Sequence, residues 1–187
     1  MDLSKVQCLE TSEMSESDRA RCAELGNIVW PPEVRRSHLP QYASEPPPPR
    51  QFPRSQRERV FVIRDGGDIV AKAGLAPRVV RCSRGEVVVL ALAGVLSHPD
   101  YRKLGLGKRV VQAALGLVDR GDFACALFQT GVPDFYRNLG CELVKNPITN
   151  SLRKSPNGEP FWDSRVMAYP GTFDWGHGPI DTLGPGW

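Results

Sequence analysis

Several things this 187-residue chain lacks narrow its function before any motif is considered. Its five cysteines (Cys8, Cys22, Cys82, Cys125, Cys141) are odd in number and show no C-x-x-C spacing, which excludes a disulfide framework and a zinc centre. Most lie in apolar stretches, as small core residues of a reduced compartment do. No apolar run approaches the ~18 residues of a membrane span, and no N-terminal stretch resembles a signal peptide. A cytoplasmic protein without membrane contact is expected. The formal net charge is only +3, and Lys and Arg are scattered without interleaved aromatics, so nucleic acid is not an expected partner. There are no internal repeats, and no metal site is expected.

What remains is ordinary for a globular protein: 41% hydrophobic and 24% charged residues, in a length that suits a single domain over residues 1–187. Its organising stretch is EVVVLALAGVLSHPDYRKLGLGKRVV, from Glu86 to Val111. Val87 to Leu96 is almost wholly apolar and β-branched at its start, which predicts a strand buried on both faces. A turn follows at Ser97-His98-Pro99-Asp100. Arg102-Lys103-Leu104-Gly105-Leu106-Gly107 then opens a helix whose inner stripe is Leu106, Val110, Val111, Ala114 and Val118. Backbone amides at a helix start lack partners, and the helix dipole adds positive charge there. Gly105 and Gly107 remove side chains that would hold a phosphate away, while Lys103, Lys108 and Arg109 add mobile charge. A pyrophosphate suits this place. No Gly-Lys-Ser/Thr closes a Walker loop, and the dinucleotide fingerprint is incomplete.

Elsewhere, Ser4 to Leu9 suits a short edge strand. Ser15 or Ser17 caps a helix running to about Val29, with Ala20, Ala23, Leu25 and Ile28 turned inward. The 30–58 segment is rich in proline to Pro53 and reads either as a polyproline connection or as a substrate lid. Arg59–Arg64 and Ile69–Leu75 make a hairpin across Asp65-Gly66-Gly67-Asp68, and Pro77–Cys82 is a separate next strand. After the glycine-opened helix, Phe123–Thr130 is a strand, parallel to the central one through a right-handed crossover. A short helix over Pro133–Leu139 is closed by Gly140, and a strand starts at Cys141–Lys145. A 146–160 loop, a strand over Phe161–Tyr169 and a 170–187 tail complete the chain. The fold class is α+β.

A strand, HPDYR, then R-x-x-G-x-G opening a helix resembles motif A of the GNAT superfamily, the acyl-coenzyme A dependent N-acyltransferases. Phe135-Tyr136-Arg137-Asn138-Leu139-Gly140-Cys141 resembles that family's motif B. The order of elements is similar over nearly the whole chain. The resemblance implies a GNAT fold: a mixed, mostly antiparallel twisted sheet with helices on both faces and a splayed parallel strand pair. Here the pair would be Val87–Leu96 and Phe123–Thr130, with Gly94 suited to the bulge that starts the divergence. It also implies acetyl-CoA (coenzyme A) as cofactor, held by Val95, Leu96, Ser97, Arg102, Lys103, Leu104, Gly105, Leu106, Gly107 and Lys108. Leu96 would offer a backbone N–H to the thioester carbonyl, and Tyr136 a proton to the departing sulfur.

The family's usual central-strand glutamate is missing, since the strand reads Leu92-Ala93-Gly94. His98 reads as a polar turn residue. Asp163, Asp174, Asp181, His177 and the Trp187 carboxylate stand as alternative bases. Gly94, Gln129, Thr130, Asp163 and Trp187 are the candidate substrate contacts. The tail from PFWDSRVMAYP to the closing tryptophan is similar to the aminoglycoside 2′-N-acetyltransferases. The expected activity is acetyl transfer to a primary amine of a small molecule, aminoglycoside-like on this resemblance, by direct attack in a ternary complex. A catalytically silent acyl-CoA sensor, or an N-acyltransferase for a peptide or a longer acyl chain, are the rival readings. A homodimer is compatible with each.

Overall fold

A computed structural model describes residues 3–32, 50–152, 165–184 and 186–187. Among the described residues, nine strands and three α-helices follow one another: β1 Gln7–Glu10, α1 Glu16–Val29, β2 Arg59–Asp65, β3 Asp68–Cys82, β4 Gly85–Ser97, α2 Leu106–Asp119, β5 Cys125–Gln129, α3 Pro133–Arg137, β6 Glu142–Leu143, β7 Ile148–Thr149, β8 Val166–Tyr169 and β9 Ile180–Asp181. They form one sheet in the order β1-β2-β3-β4-β5-β8-β6, with β9 beside β3 and β7 beside β9. All ladders are antiparallel except β4–β5 and β7–β9. No described helix is long and apolar enough to cross a membrane.

Strand alternation sorts the core onto two faces. Phe61, Ile63, Ala73, Leu75, Leu90, Leu92, Ala126 and Phe128 meet α2, which buries Leu106, Val110, Val111, Ala114, Leu115 and Leu117. Each fully buried Val, Leu, Ile or Phe among them contributes about 1.5–3 kcal/mol. On the other face α1 covers Val62, Ile69 and Leu96, while the 170–184 stretch and Trp187 cover Val80, Val89, Cys125 and Leu127.

Four expectations are corrected. The residues divided between Ile69–Leu75 and Pro77–Cys82 form one strand, β3, which Pro77 does not interrupt. The last β2 pairing is Arg59↔Leu75, so Pro77 pairs only with Leu90 of β4 and its missing N–H lies outside any β2 ladder. β1 starts at Gln7 rather than Ser4. Helix α1 turns Cys22 and Leu25 inward, onto Val62, Ile69 and Leu96, rather than Ala20, Ala23 and Ile28, and an ion pair joins its Asp18 to Arg64 of β2. The tail supplies β9, which pairs with β7 from the expected 146–160 loop. Residues 33–49 of the proposed lid, residues 153–164 and the start of the Phe161–Tyr169 strand lie outside the described residues.

Candidate active site

The sheet opens at one point. β4 and β5 pair in parallel at Val89↔Cys125, Leu90↔Ala126 and Ala91↔Leu127, and there the ladder stops. Among the described residues, β4 continues to Ser97 with β3 as its only ladder neighbour, while Phe128 and Gln129 continue against β8. A bulge sets the parting: Gly74↔Ala93 is followed by Lys72↔Leu96, three residues of β4 against two of β3. Gly94 occupies the bulge at φ 58°, a left-handed angle that suits glycine. The shift sends Val95 to the α2 face and buries Leu96 beneath α1. The His98 N–H donates to the Val70 carbonyl at 2.8 Å, so alternation turns the Ser97 amide toward the gap and that of Leu96 toward β3.

Beyond Ser97 the His98 imidazole accepts from the Asp100 N–H at 3.3 Å and caps a 3₁₀ turn at Pro99–Tyr101. This is the turn role read from the sequence. Tyr101 is tied down in turn, its hydroxyl donating to Asp65 at 2.7 Å. Lys103 (φ 65°) and Gly105 (φ 73°, the N-cap of α2) are both left-handed, so the loop from Arg102 to Lys108 curls its amides around the helix start. A Cβ on Gly107 would stand 3.0 Å from Ser97 Oγ, so β4 and the helix start are in close contact. Arg102, Lys103, Leu104 and Lys108 are exposed around the loop, and Leu106 is its buried anchor. Arg109 differs from expectation. Its guanidinium is engaged by the carbonyls of Leu3 and Ser4 and is not mobile charge.

Tyr136, on α3, packs on the α2 side of the sheet, 4.6 Å from the Phe128 ring and 4.8 Å from Phe135. Burial raises its phenol well above the usual range, so it is a firmly protonated donor near the end of β5. Gln129 pairs with Val166. Thr130 is buried, its N–H donating to Arg165 and its hydroxyl accepting from Val132 N–H at 3.0 Å. Asp163 lies outside the described residues. Of the other carboxylates, Asp174 pairs with Arg84 and accepts from Gly176 N–H. Burial favours a raised Asp181, but hydrogen bonds from Ser151 and Leu183 amides outweigh it and hold the acid below its ordinary value. Neither faces the gap as an unengaged base.

Trp187 reaches the gap from the other face. Its indole N–H donates to the Leu127 carbonyl at 3.0 Å, on the last β4–β5 rung. The Arg78 guanidinium of β3 stands over its ring at 5.5 Å. Arg78 also lines a cleft of about 370 Å³ along the β3 edge between its β2 and β9 pairings, with Arg50, Phe52, Arg81, Leu152 and Leu183. This cleft went unread in the sequence. Its one available signal was a cation inside the apolar strand Ala76-Pro77-Arg78-Val79-Val80.

The acetyltransferase (GNAT) domain family matches residues 10–144, and the chain belongs to that family. It is thus a GNAT-type acetyltransferase by class. No curated protein matches it in sequence. Solved structures share the fold. The GNAT family N-acetyltransferase YhbS from Escherichia coli, in complex with CoA, is 13% identical with a TM-score of 0.59, covering 95% of this chain and 88% of its own. A GNAT family acetyltransferase from Brucella melitensis, in complex with acetyl-CoA, is 10% identical with a TM-score of 0.56, covering 94% of each chain. A GCN5-related N-acetyltransferase from Kribbella flavida is 14% identical with a TM-score of 0.52 over 74% of this chain, which spans about a third (34%) of that protein's length.

Proposed function

We propose that the chain moves an acetyl group from acetyl-CoA to a primary amine of a small molecule, within one domain formed by residues 1–187. The parting of β4 from β5 beyond Ala91↔Leu127 carries this reading, because it leaves backbone donors facing a gap instead of a neighbouring strand. The fit to acetyl-CoA rests on the curled loop and on Gly105, where a Cβ would meet no described protein atom within 4 Å and would instead stand in the open space before the amides. In this reading the amides from Lys103 to Lys108 hold the diphosphate, with Arg102, Lys103 and Lys108 as surrounding charge. Val95 and Ser97 border the pantetheine arm, and Leu96 fixes the strand end from its buried side. When bound, acetyl-CoA supplies the thioester: the amine nitrogen bonds to its carbonyl carbon, the C–S bond breaks, and the electron pair leaves on sulfur.

The Ser97 amide is placed to steady negative charge at the gap. Tyr136 supplies a proton or hydrogen bond from the α2 face, and its raised phenol keeps it in the donating form. The amine's proton leaves to water, since Asp174 and Asp181 are engaged elsewhere. The absence of a glutamate from Leu92-Ala93-Gly94 also supports a second reading, an acyl-CoA sensor without turnover. The aminoglycoside reading draws no support from the lateral cleft, whose described lining holds arginines and no carboxylate. Calorimetry with acetyl-CoA and thiol release over a panel of amines test the proposal. Binding with amine-dependent release is expected. Binding without release for any amine favours the sensor, and no binding removes both readings.

A further inference from the structure

We propose that His98 is a positioning residue for the diphosphate loop and makes the affinity for acetyl-CoA depend on pH, the neutral imidazole holding the loop and the protonated one releasing it. This rests on the acetyl-CoA reading and adds a regulation to it. The loop from Arg102 to Lys108 is entered through the Pro99–Tyr101 turn, so its curl depends on how that turn is held. The Tyr101 N–H donates to the His98 carbonyl at 3.0 Å, and the Arg102 N–H to the Pro99 carbonyl at 3.2 Å. The Tyr101 hydroxyl donates to Asp65 at 2.7 Å, and the Asp100 N–H donates to His98 Nδ1 at 3.3 Å. Of these four bonds, only the last uses a type of side chain whose charge ordinarily changes between pH 5 and 8.

A neutral imidazole has one acceptor nitrogen, and the Asp100 amide requires it to be Nδ1, with the proton on Nε2. An imidazolium has two donors and no acceptor, so protonation sets N–H against N–H and removes the cap. The surroundings give the charged ring another partner. Asp100 Oδ2 lies 3.8 Å from Nδ1, so the ring can turn from the amide of that residue to its carboxylate. The Asp100 side chain is 84% exposed and that of His98 24%, so the exchange draws the ring outward. It also draws it off Tyr101, whose ring it meets edge-on at 5.5 Å. The other charged groups that share its cavity, of about 250 Å³, are Arg21 and Glu24 from α1 and Asp68 from β3. Arg21 pairs with both of these acids, at 3.3 and 2.7 Å, which leaves Asp100 as the acid the imidazolium meets. Acetyl-CoA is held by the curled loop, so its apparent affinity scales with the fraction of molecules in which the turn is closed. That fraction is full at pH 8 and falls as His98 takes up a proton.

The test is calorimetry with acetyl-CoA on the full chain at pH 8 and pH 5.5, as wild type, His98→Asn and His98→Ala. It is run in about 0.3 M salt, so that attraction of an imidazolium to the diphosphate is screened. Asparagine offers an oxygen where Nδ1 stands and does not titrate. The cofactor's own phosphates titrate alike for all three proteins, so the quantity read is the ratio of wild type to His98→Asn. At pH 8 these two should bind within about 2-fold of each other, with His98→Ala about 5-fold weaker, within the worth of a lost cap. At pH 5.5 wild type should bind about 5-fold more weakly than His98→Asn, close to His98→Ala. A merely structural role would weaken His98→Ala at both pH values and leave the ratio constant. A constant ratio, tighter binding by wild type than by His98→Asn at pH 5.5, or His98→Asn as weak as His98→Ala at pH 8 overturns the inference while leaving the acetyl-CoA reading intact. If wild type binds no acetyl-CoA at pH 8, that reading fails, and amide exchange decides the switch separately. Faster exchange of the Asp100 amide in wild type than in His98→Asn at pH 5.5, with equal exchange at pH 8, supports it; equal exchange at both overturns it.

Discussion

The hydroxyl of Tyr136 has no hydrogen-bond partner among the described residues, although its ring is buried between Phe128 and Phe135. Removing that oxygen should therefore cost little stability. Tyr136→Phe is expected to melt within a few degrees of wild type and to bind acetyl-CoA equally well. Turnover should fall about 10²-fold, within the range of general acid catalysis. Single-turnover acetyl transfer checks this, and unchanged turnover would remove the phenol from the chemistry. Gly105 is a second residue with a sharp expectation. At φ 73° it caps α2, so Gly105→Glu places both a strained backbone, costing about 1–2 kcal/mol, and a carboxylate at the loop's amides. Affinity for acetyl-CoA should drop at least about 100-fold by calorimetry, with circular dichroism still reporting a folded chain. At this scale the sequence was most readable where residue type answers a backbone need, as at Gly94, Gly105 and the capping His98. It was least readable where side-chain partners are distant: Arg109 bonding Leu3 and Ser4, or Arg78 lying over Trp187, are contacts that spacing does not announce.

At the scale of elements, the buried-strand pattern of Val87–Leu96 and the helical stripe from Leu106 were legible because each buries apolar residues at one fixed period. The misreading of β3 as two strands has a plain cause. A proline signals a break only when its missing donor is required, and Pro77 sits where β2 has already ended. Helix α1 was harder, because its inner face is narrow: only Cys22 and Leu25 are buried. The bulge at Gly94 is an element with its own test. Gly94→Val forces a β-branched residue to φ 58° and should cost about 1–2 kcal/mol, whereas Gly94→Asn, which tolerates that angle better, should cost less. Denaturant midpoints of the two variants check the order.

Across the whole molecule, the 170–184 stretch and Trp187 hold the far face together through long-range polar contacts. Asn146 donates to the Gly176 and Gly178 carbonyls at 3.1 and 2.8 Å, and the Ile180 N–H donates to Pro147. Asn146→Ala should cost about 1–2 kcal/mol, and amide exchange at Ile180 should quicken ahead of exchange in β4. Tyr169 joins β8 to α2 through a 2.6 Å bond to Asp119. That bond to a carboxylate, with burial second, pushes its phenol up to about 12. The folded state thus keeps a proton that the unfolded chain releases near pH 10. The contribution is complete below pH 10 and is lost as the pH rises toward 12, so wild type should lose more melting temperature between pH 8 and 11 than Tyr169→Phe does. The tail's role was the least legible part of the fold, because β7 and β9 are two-residue strands with no periodicity to read.

The bulge reaches further than its own strand. Along β4, the odd positions Val87 and Val89 look toward the tail, whereas beyond the bulge it is the even position Leu96 that lies on this side of the sheet, under α1. A single extra amino acid thus inverts the parity of the sheet's middle strand at the place where its two sides must hand something to each other. Deleting Gly94 would leave Val95 and Leu96 on the faces they already occupy, because Gly94 is itself the extra residue, and would take away the bulge alone. The doorway through the sheet is, in that sense, written as a counting offset.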